Sequence, residues 1–158
     1  LEELRAAGRR SDTRRRGASM ASGRMLSKKE LTERLTKKGA SPDDAAETAD
    51  WLEDLGAVDD TAYAGVIVRH YGAMGCGAAR VRQELHRRGV PKELWDEALK
   101  QLPPPQEAIE KFLCAKLRGR PLTPEDSRRL AAALQRRGFS WQDIRPILNG
   151  LGQEIDET

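Results

Sequence analysis

The residues of this chain that could bind a metal ion are two histidines and two cysteines. His70, His86, Cys76 and Cys114 show none of the short spacings that are typical of zinc ligands. No motif surrounds the cysteines, which is typical of reduced thiols in a cytoplasmic protein. The sequence therefore predicts no metal site and no cofactor.

Two further patterns resemble parts of enzyme active sites. Asp59 and Asp60 are adjacent carboxylates, but neighbouring residues at a helix start do not face each other, and a helix cap explains them better. The glycine-rich stretch 72–77 lacks the Lys-Ser/Thr pair of a phosphate-binding loop, and no predicted strand precedes it. We interpret this stretch as a joint between segments, and we expect no enzymatic activity.

Basic residues are the remaining candidates, and they recur in a pattern. The pattern is an apolar residue, three others, Leu, a polar residue, two basic residues, Gly and an apolar residue. It occurs at residues 31–40, 81–90 and 130–139. The three glycines are 50 and then 49 residues apart. A constant period of this length indicates a repeat array.

Each basic pair has two explanations. Lys or Arg in the last turn complements the negative end of the helix dipole, and Gly can adopt the left-handed conformation that closes a helix. Alternatively, three equivalent pairs along an array would form a repeated binding surface. The predicted binding residues are Lys37, Lys38, Arg80, Arg87, Arg88, Arg136 and Arg137. The residues assigned to a structural role are Asp59, Asp60, Tyr63, Gly39, Gly89 and Gly138.

Composition favours an extended helical protein over a globule. Apolar residues make up 38% of the 158 residues and charged residues 34%, so the core must be thin. Aromatic residues make up 4%, which argues against a base-stacking platform for single strands. The net charge of +3 is compatible with a nucleic-acid partner without requiring one. No apolar run approaches the ~18 residues that a membrane span needs.

Helical periodicity predicts the elements that position these residues. Apolar residues recur at helical spacing, and no alternation typical of a strand persists outside these stripes. We predict an all-α protein of tandem three-helix repeats in an elongated array, with the last repeat truncated. The predicted segments are a basic flexible tail at 1–24 and repeats at 26–74, 77–120 and 123–152.

Residues 1–24 are predicted to be a flexible tail that could bind phosphates without sequence preference. They contain seven arginines against three acidic residues, and Gly8 and Gly17 are among the residues expected to interrupt a helix. A short helix in the first residues is left open by this pattern.

Capping residues predict where the other helices begin and end. The predicted starts are the capping box of Ser27 and Glu30, Ser41-Pro42, Asp59-Asp60, Pro91, Thr123-Pro124 and Ser140. In the last helix, Pro146 should cause a kink or a looser first turn, and Gly150 with Gly152 should end it.

Over about residues 26–150, and most specifically in its central third, the chain resembles the RecX family, bacterial regulators of the recombinase RecA. The residues that carry the resemblance are Gly39, Leu55-Gly56-Ala57-Val58-Asp59-Asp60-Thr61-Ala62-Tyr63-Ala64, Gly75, Arg80-Val81-Arg82-Gln83-Glu84-Leu85 and Arg88-Gly89-Val90. The family pattern begins with a Leu-Gly turn and two adjacent Asp residues, which precede an aromatic residue followed by Ala. A later glycine precedes the sequence Glu-Leu, two variable residues, Lys or Arg, and Gly.

The resemblance implies a curved, elongated molecule that lies in the groove of the RecA–DNA filament. It implies inhibition of the ATPase, strand exchange and coprotease activities of RecA, and hence a role in recombination, DNA repair and the SOS response. The predicted binding residues would then face the filament or its DNA. We expect a cytoplasmic monomer that binds single- and double-stranded DNA weakly by itself. The alternatives are a non-specific DNA-binding helical protein without a recombinase partner and a scaffold that binds neither.

Overall fold

The computed structural model describes residues 1–156, and within them it contains helices and no strand. The α-helices are α1 (Glu2–Gly23), α2 (Lys28–Lys37), α3 (Pro42–Asp54), α4 (Asp60–Ala73), α5 (Ala78–Arg87), α6 (Trp95–Leu99), α7 (Pro105–Leu117), α8 (Pro124–Arg136) and α9 (Trp141–Asp156). A 3₁₀ helix, Lys92–Leu94, precedes α6. The predicted all-α class is confirmed.

The predicted flexible tail is wrong, because residues 2–23 form the helix α1. Its second half packs against α2 and α3, and it buries Thr13 and Gly17. Gly17 does not interrupt the helix, because its missing side chain allows close packing. A Cβ atom there would lie 2.7 Å from Cγ2 of Thr48. Gly17 is a weak helix former, which led to the prediction of an interruption. In the fold, this position allows α1 to pack closely against Thr48.

Side-chain caps begin five of the described helices as predicted, at Ser27, Ser41, Asp59, Thr123 and Ser140. Ser27 and Glu30 form a capping box at α2, in which the Ser27 Oγ accepts from the Glu30 N–H at 3.0 Å and the Ser27 N–H donates to Glu30 Oε1 at 3.0 Å. Ser41 caps α3, and Thr123 caps α8 in a second capping box. These caps satisfy backbone N–H groups that have no partner inside the helix.

Two predicted helices differ from the structure. The helix predicted to start at Pro91 does start there, but it begins as a 3₁₀ turn, continues as the five residues of α6 and ends at Leu99. The last helix continues through Gly150 and Gly152 and ends at Asp156. Its Pro146 lies inside the helix without ending it. The proline ring crowds the carbonyl of Gln142, which lies in the exposed first turn where water can reach it.

The chain divides into two compact units. The first unit comprises residues 1–66 with 85–98, and the second comprises 67–84 with the residues from 99 onwards. A hydrophobic core in the first unit is formed by Leu26, Leu31, Leu35, Ala45, Ala49, Leu52 and Val58, with Ala18, Met20 and Ala21 of α1 packed against it. A core in the second unit joins α7, α8 and α9 through residues that include Ile109, Leu134 and Ile144.

These cores show which helices belong together. One core joins α1, α2 and α3, and the other joins α7, α8 and α9. Counted from Ser27, the described helices follow the predicted order of three, three and two. Counted from Glu2, they form three groups of three. That segments 26–74, 77–120 and 123–152 are repeats of one another therefore stays a prediction from the sequence. No helix in the described part of the chain is long and apolar enough to cross a membrane.

Candidate functional site

The three predicted basic pairs lie at equivalent helix ends. Lys37, Arg87 and Arg136 are the last residues of α2, α5 and α8, and all three are exposed. In each case the helix closes with the same backbone turn. The glycine N–H donates to the carbonyl three residues back, and the N–H of the next residue donates to the carbonyl five residues back. The glycines that close these turns, with positive φ, are Gly39, Gly89 and Gly138.

The second basic residue of the pairs in α5 and α8 contacts its own protein. Arg88 Nη1 donates to the hydroxyl of Tyr63 at 3.1 Å, and its guanidinium lies 5.9 Å from the ring centre. Arg137 Nη1 donates to the carbonyl of Met74 at 3.2 Å, and its guanidinium lies 4.8 Å from the ring centre of Phe112. Both arginines are half-buried. These contacts give them a structural role that the sequence prediction had not assigned.

A donor from an earlier element binds the carbonyl of the second basic residue in all three turns. Arg16 Nη1 donates to the carbonyl of Lys38 at 3.0 Å. The Ser27 hydroxyl donates to the carbonyl of Arg88, and the Gly77 N–H donates to the carbonyl of Arg137 at 2.8 Å. Each helix-closing turn is thereby held to the element that packs beside it, although a different chemical group supplies the bond each time.

Arg80 is placed by one of these turns. A Cβ atom added to Gly138 would lie 2.4 Å from the Arg80 backbone N and 2.6 Å from its Cβ. The first turn of α5 therefore rests directly on the glycine that closes α8, and the side chain of Arg80 is exposed. Gly89 makes a similar approach to Lys29, whose Cβ would lie 2.8 Å from the added atom.

The adjacent carboxylates Asp59 and Asp60 bind backbone N–H groups. Asp59 Oδ1 accepts from the Ala62 N–H at 3.1 Å at the start of α4. Asp60 Oδ1 accepts from the Lys28 N–H at 2.9 Å at the start of α2. Burial raises the pKa of Asp60, and the hydrogen bond from the Lys28 backbone opposes this shift. Tyr63 is buried, with 3% of its surface exposed.

An ion-pair cluster at Lys28 was missed by the sequence reasoning. Lys28 Nζ lies 2.5 Å from Asp50 Oδ1 and 3.3 Å from Glu53 Oε1. The hydrogen bond to Asp50 raises the pKa of Lys28, with burial opposing it. The signal in the sequence was the pair of acidic residues three positions apart on the exposed side of α3. Because the two partners of Lys28 are largely exposed, this cluster fixes geometry more than it adds stability.

Comparison with known proteins identifies the family. The sequence profile described as RecX, second three-helix domain, matches residues 59–99, which contain α4, α5 and α6. Regulatory protein RecX of Chromohalobacter salexigens is 34% identical over 123 residues, which cover 77% of this chain and 81% of that protein. The chain belongs to the RecX family. Regulatory protein RecX of Chlorobaculum tepidum is 30% identical over 153 residues, covering 93% of each chain.

Solved RecX structures share the fold. The crystal structure of RecX from Lactobacillus salivarius superposes with a TM-score of 0.79 at 22% identity, covering 96% of this chain and 99% of that one. A second structure, titled as regulatory protein RecX, gives a TM-score of 0.81 at 21% identity, covering 94% of this chain and 77% of that one. At this identity the likeness shows the fold alone.

The family match clarifies how the helices are grouped. The RecX profile takes α4, α5 and α6 as one three-helix domain. The two hydrophobic cores described above lie in the helices before and after it. The named RecX relatives are regulatory proteins. Among the described residues, no group of three His, Cys, Asp or Glu side chains is arranged to hold a metal ion.

Proposed function

We propose that this RecX-family chain binds the RecA–DNA filament and restrains its ATP hydrolysis, strand exchange and coprotease activity. Through that restraint it would moderate recombination, DNA repair and the SOS response. The observation that carries the proposal is the recurrence of one exposed basic helix end in a protein whose relatives are regulators. Lys37, Arg87 and Arg136 occupy equivalent positions, each followed by the same glycine turn.

Repetition of the basic helix end suits a partner that is itself repetitive. A filament presents the same subunit surface many times and carries phosphate groups along its axis. Several weak contacts made by one chain add through effective concentration, so no single contact has to be strong. A chain bound to more than one subunit would oppose the movements between subunits that nucleotide turnover requires.

Contacts within the protein divide the predicted binding residues into two groups. Lys37, Lys38, Arg80, Arg87 and Arg136 have exposed side chains, and we propose that they face the filament or its DNA. Arg88 and Arg137 remain candidates of lower rank, because binding a partner through their guanidinium groups would compete with the contacts to Tyr63 and Phe112. We also propose that the protein acts as a monomer in the cytoplasm.

Substoichiometric inhibition is the result that would distinguish filament regulation from competition for DNA. The experiment measures ATP hydrolysis by RecA on single-stranded DNA while this protein is titrated from well below one copy per RecA. A parallel titration measures its binding to the same DNA without RecA. We expect hydrolysis to fall at ratios far below one, at protein concentrations where bare DNA is mostly unbound.

The opposite pattern would support the competing function. If inhibition required enough protein to saturate the DNA, and if binding to bare DNA were tight and steeply dependent on salt, simple competition would explain the effect. The protein would then be a general DNA-binding helical protein, and the filament proposal would be wrong. A chain that changed neither hydrolysis nor DNA mobility would indicate a scaffold.

A further inference from the structure

Helix α1 has two halves with different surroundings. The second half is docked, since Thr13 and Gly17 are buried and Arg14 Nη2 lies 2.9 Å from Glu47 Oε1. The first half, residues 2–12, contains no buried residue, and Leu4 is 75% exposed. At ~1.5 Å per residue, this half extends the helix by about 16 Å beyond its docked part. Local packing within the first unit therefore does not explain why this half is helical.

Arginines form a row along one side of α1. At about 100° per residue, Arg5, Arg9 and Arg16 lie within about 40° of one another around the helix axis. All three are exposed, and Arg5 and Arg9 have no ion pair with the side chains of residues 1–152, which are those that the structure describes. Asp12 lies near this row, and Arg15 Nη1 is 3.8 Å from its Oδ1, which offsets its charge. The row spans roughly 16 Å from Arg5 to Arg16.

The row meets the end of α2. The guanidinium of Arg16 donates to the carbonyl of Lys38 at 3.0 Å. The ammonium groups of Lys37 and Lys38 are exposed in the same helix-closing turn. The bond at Arg16 therefore joins the arginine row to the first of the three basic helix ends. Both belong to the first compact unit.

We infer that α1 is a nucleic-acid-binding element whose arginine row contacts the phosphates of a DNA backbone, with Lys37 and Lys38 continuing that contact. The chemistry favours phosphate over an acidic protein surface. Arginines one and two turns apart on a polar helix present repeated charge with little apolar area, whereas protein interfaces need buried apolar or aromatic anchors. DNA carries one charge per ~1.7 Å of its axis, so a 16 Å row passes several phosphates. No base-reading group is required.

The inference goes beyond the filament proposal and is tested without a recombinase. The binding of the full chain to a labelled duplex of mixed sequence, and to a single strand of equal length, is measured by fluorescence anisotropy between 50 and 200 mM salt. The test variant is Arg5→Gln with Arg9→Gln. We expect about tenfold weaker duplex binding and a salt slope that is shallower by about 2, because each lost phosphate contact removes about 1.

A matched control removes the same charge elsewhere. Arg10 and Arg24 are also exposed, but Arg10 projects about 100° or more away from Arg5 and Arg9, and Arg24 follows the helix. The double variant Arg10→Gln with Arg24→Gln should keep duplex affinity within about twofold. Circular dichroism and thermal melting of both variants check that α1 remains folded. The single-strand arm shows whether the row distinguishes a duplex from a flexible backbone.

Several outcomes would overturn the inference. Equal losses in the two double variants would mean that only net charge matters. Unchanged binding in both variants, or no binding by the wild-type chain at 50 mM salt, would exclude the row as a phosphate contact. If Arg5→Gln with Arg9→Gln left DNA binding intact but weakened inhibition of RecA, the row would contact an acidic protein surface instead. Loss of DNA binding with intact inhibition would support this inference independently of the filament proposal.

Discussion

In the basic pairs at the ends of α5 and α8, the two residues differ in what surrounds them. The first residue ends the helix with an exposed side chain, as at Arg136, whereas Arg137 lies over Phe112 and donates to the Met74 carbonyl. Similarly, the guanidinium of Arg88 lies near the Tyr63 ring and donates to the Tyr63 hydroxyl. The sequence presents the two positions as equivalent charges. Burial against an aromatic ring and a satisfied hydrogen bond separate them.

The glycines that close these helices also differ, and two of them form a matched pair for mutation. Gly39 and Gly138 both have φ of 101°, so replacing either with Ala introduces the same backbone penalty of about 1 kcal/mol. Only Gly138 has backbone atoms within contact distance of an added Cβ. We expect Gly138→Ala to lower the free energy of unfolding by about 3 kcal/mol, since overpacking adds to that penalty.

Urea unfolding followed by circular dichroism measures both glycine variants. Gly39→Ala should cost only the backbone penalty, because no atom lies within 4 Å of its added Cβ. Equal losses in the two variants would show that the approach of α5 to Gly138 contributes nothing to stability. The contact that positions Arg80 would then lose its structural explanation.

Helix α1 shows how a helix that contains three glycines is stabilised by docking. Its composition is polar, with six arginines and three glycines. Docking stabilises it through the buried faces of Thr13 and Gly17, through the ion pair of Arg14 with Glu47, and through the bond from Arg16 to Lys38. The guanidinium of Arg14 also lies 5.0 Å from the ring centre of Trp51. In the docked half, these tertiary contacts offset the low helix propensity of Gly17.

Two glycines within α1 provide opposite predictions for the same substitution. Gly17→Ala should destabilise the docked half by about 1–3 kcal/mol, because the new Cβ would lie 2.7 Å from the buried Thr48 side chain. Gly8→Ala meets no atom within 4 Å and should stabilise the helix by about 0.5–1 kcal/mol. Hydrogen exchange of the α1 amides, measured by mass spectrometry, should increase in the first variant and decrease in the second. Slower exchange in Gly17→Ala would contradict the docking described above.

The molecule repeats one arrangement with different chemical groups. Each helix-closing turn receives a bond from an earlier element, through Arg16, Ser27 or Gly77. Each turn also presents an exposed basic residue at the preceding position. If the proposed function holds, contacts made at different helix ends would add, because residues without shared partners contribute independently to a binding free energy.

Charge reversal at two helix ends tests this additivity. Lys37→Glu and Arg136→Glu should each raise the concentration that half-inhibits RecA ATPase by about fivefold, and the double variant by about 25-fold. The control pair is Lys92→Glu with Lys111→Glu, two exposed lysines outside the basic helix ends. Loss of inhibition in the control pair to the same extent would attribute the effect to net charge. A double variant no weaker than either single one would contradict repeated contacts.

Local chemistry made much of the fold predictable. The capping boxes of α2 and α8, the proline start of α3 and the glycine turns after α2, α5 and α8 follow from residues that act within one helical turn. Two errors concern segments without such local control. The docking of residues 13–23 and the continuation of α9 past Gly150 depend on contacts between helices that lie far apart in the chain.

The sequence by itself determined the helical class, the period of about 50 residues and the basic helix ends, because each depends only on residue spacing and on capping interactions within one helical turn. It could not determine which helices belong to the same group, since a periodic pattern can be divided into repeats at any point. Only the tertiary structure showed that α1, α2 and α3 share one core and α7, α8 and α9 share another. It also separated Arg88 and Arg137 from their exposed neighbours. Burial and contact across distant parts of the chain make these distinctions, and spacing does not encode them.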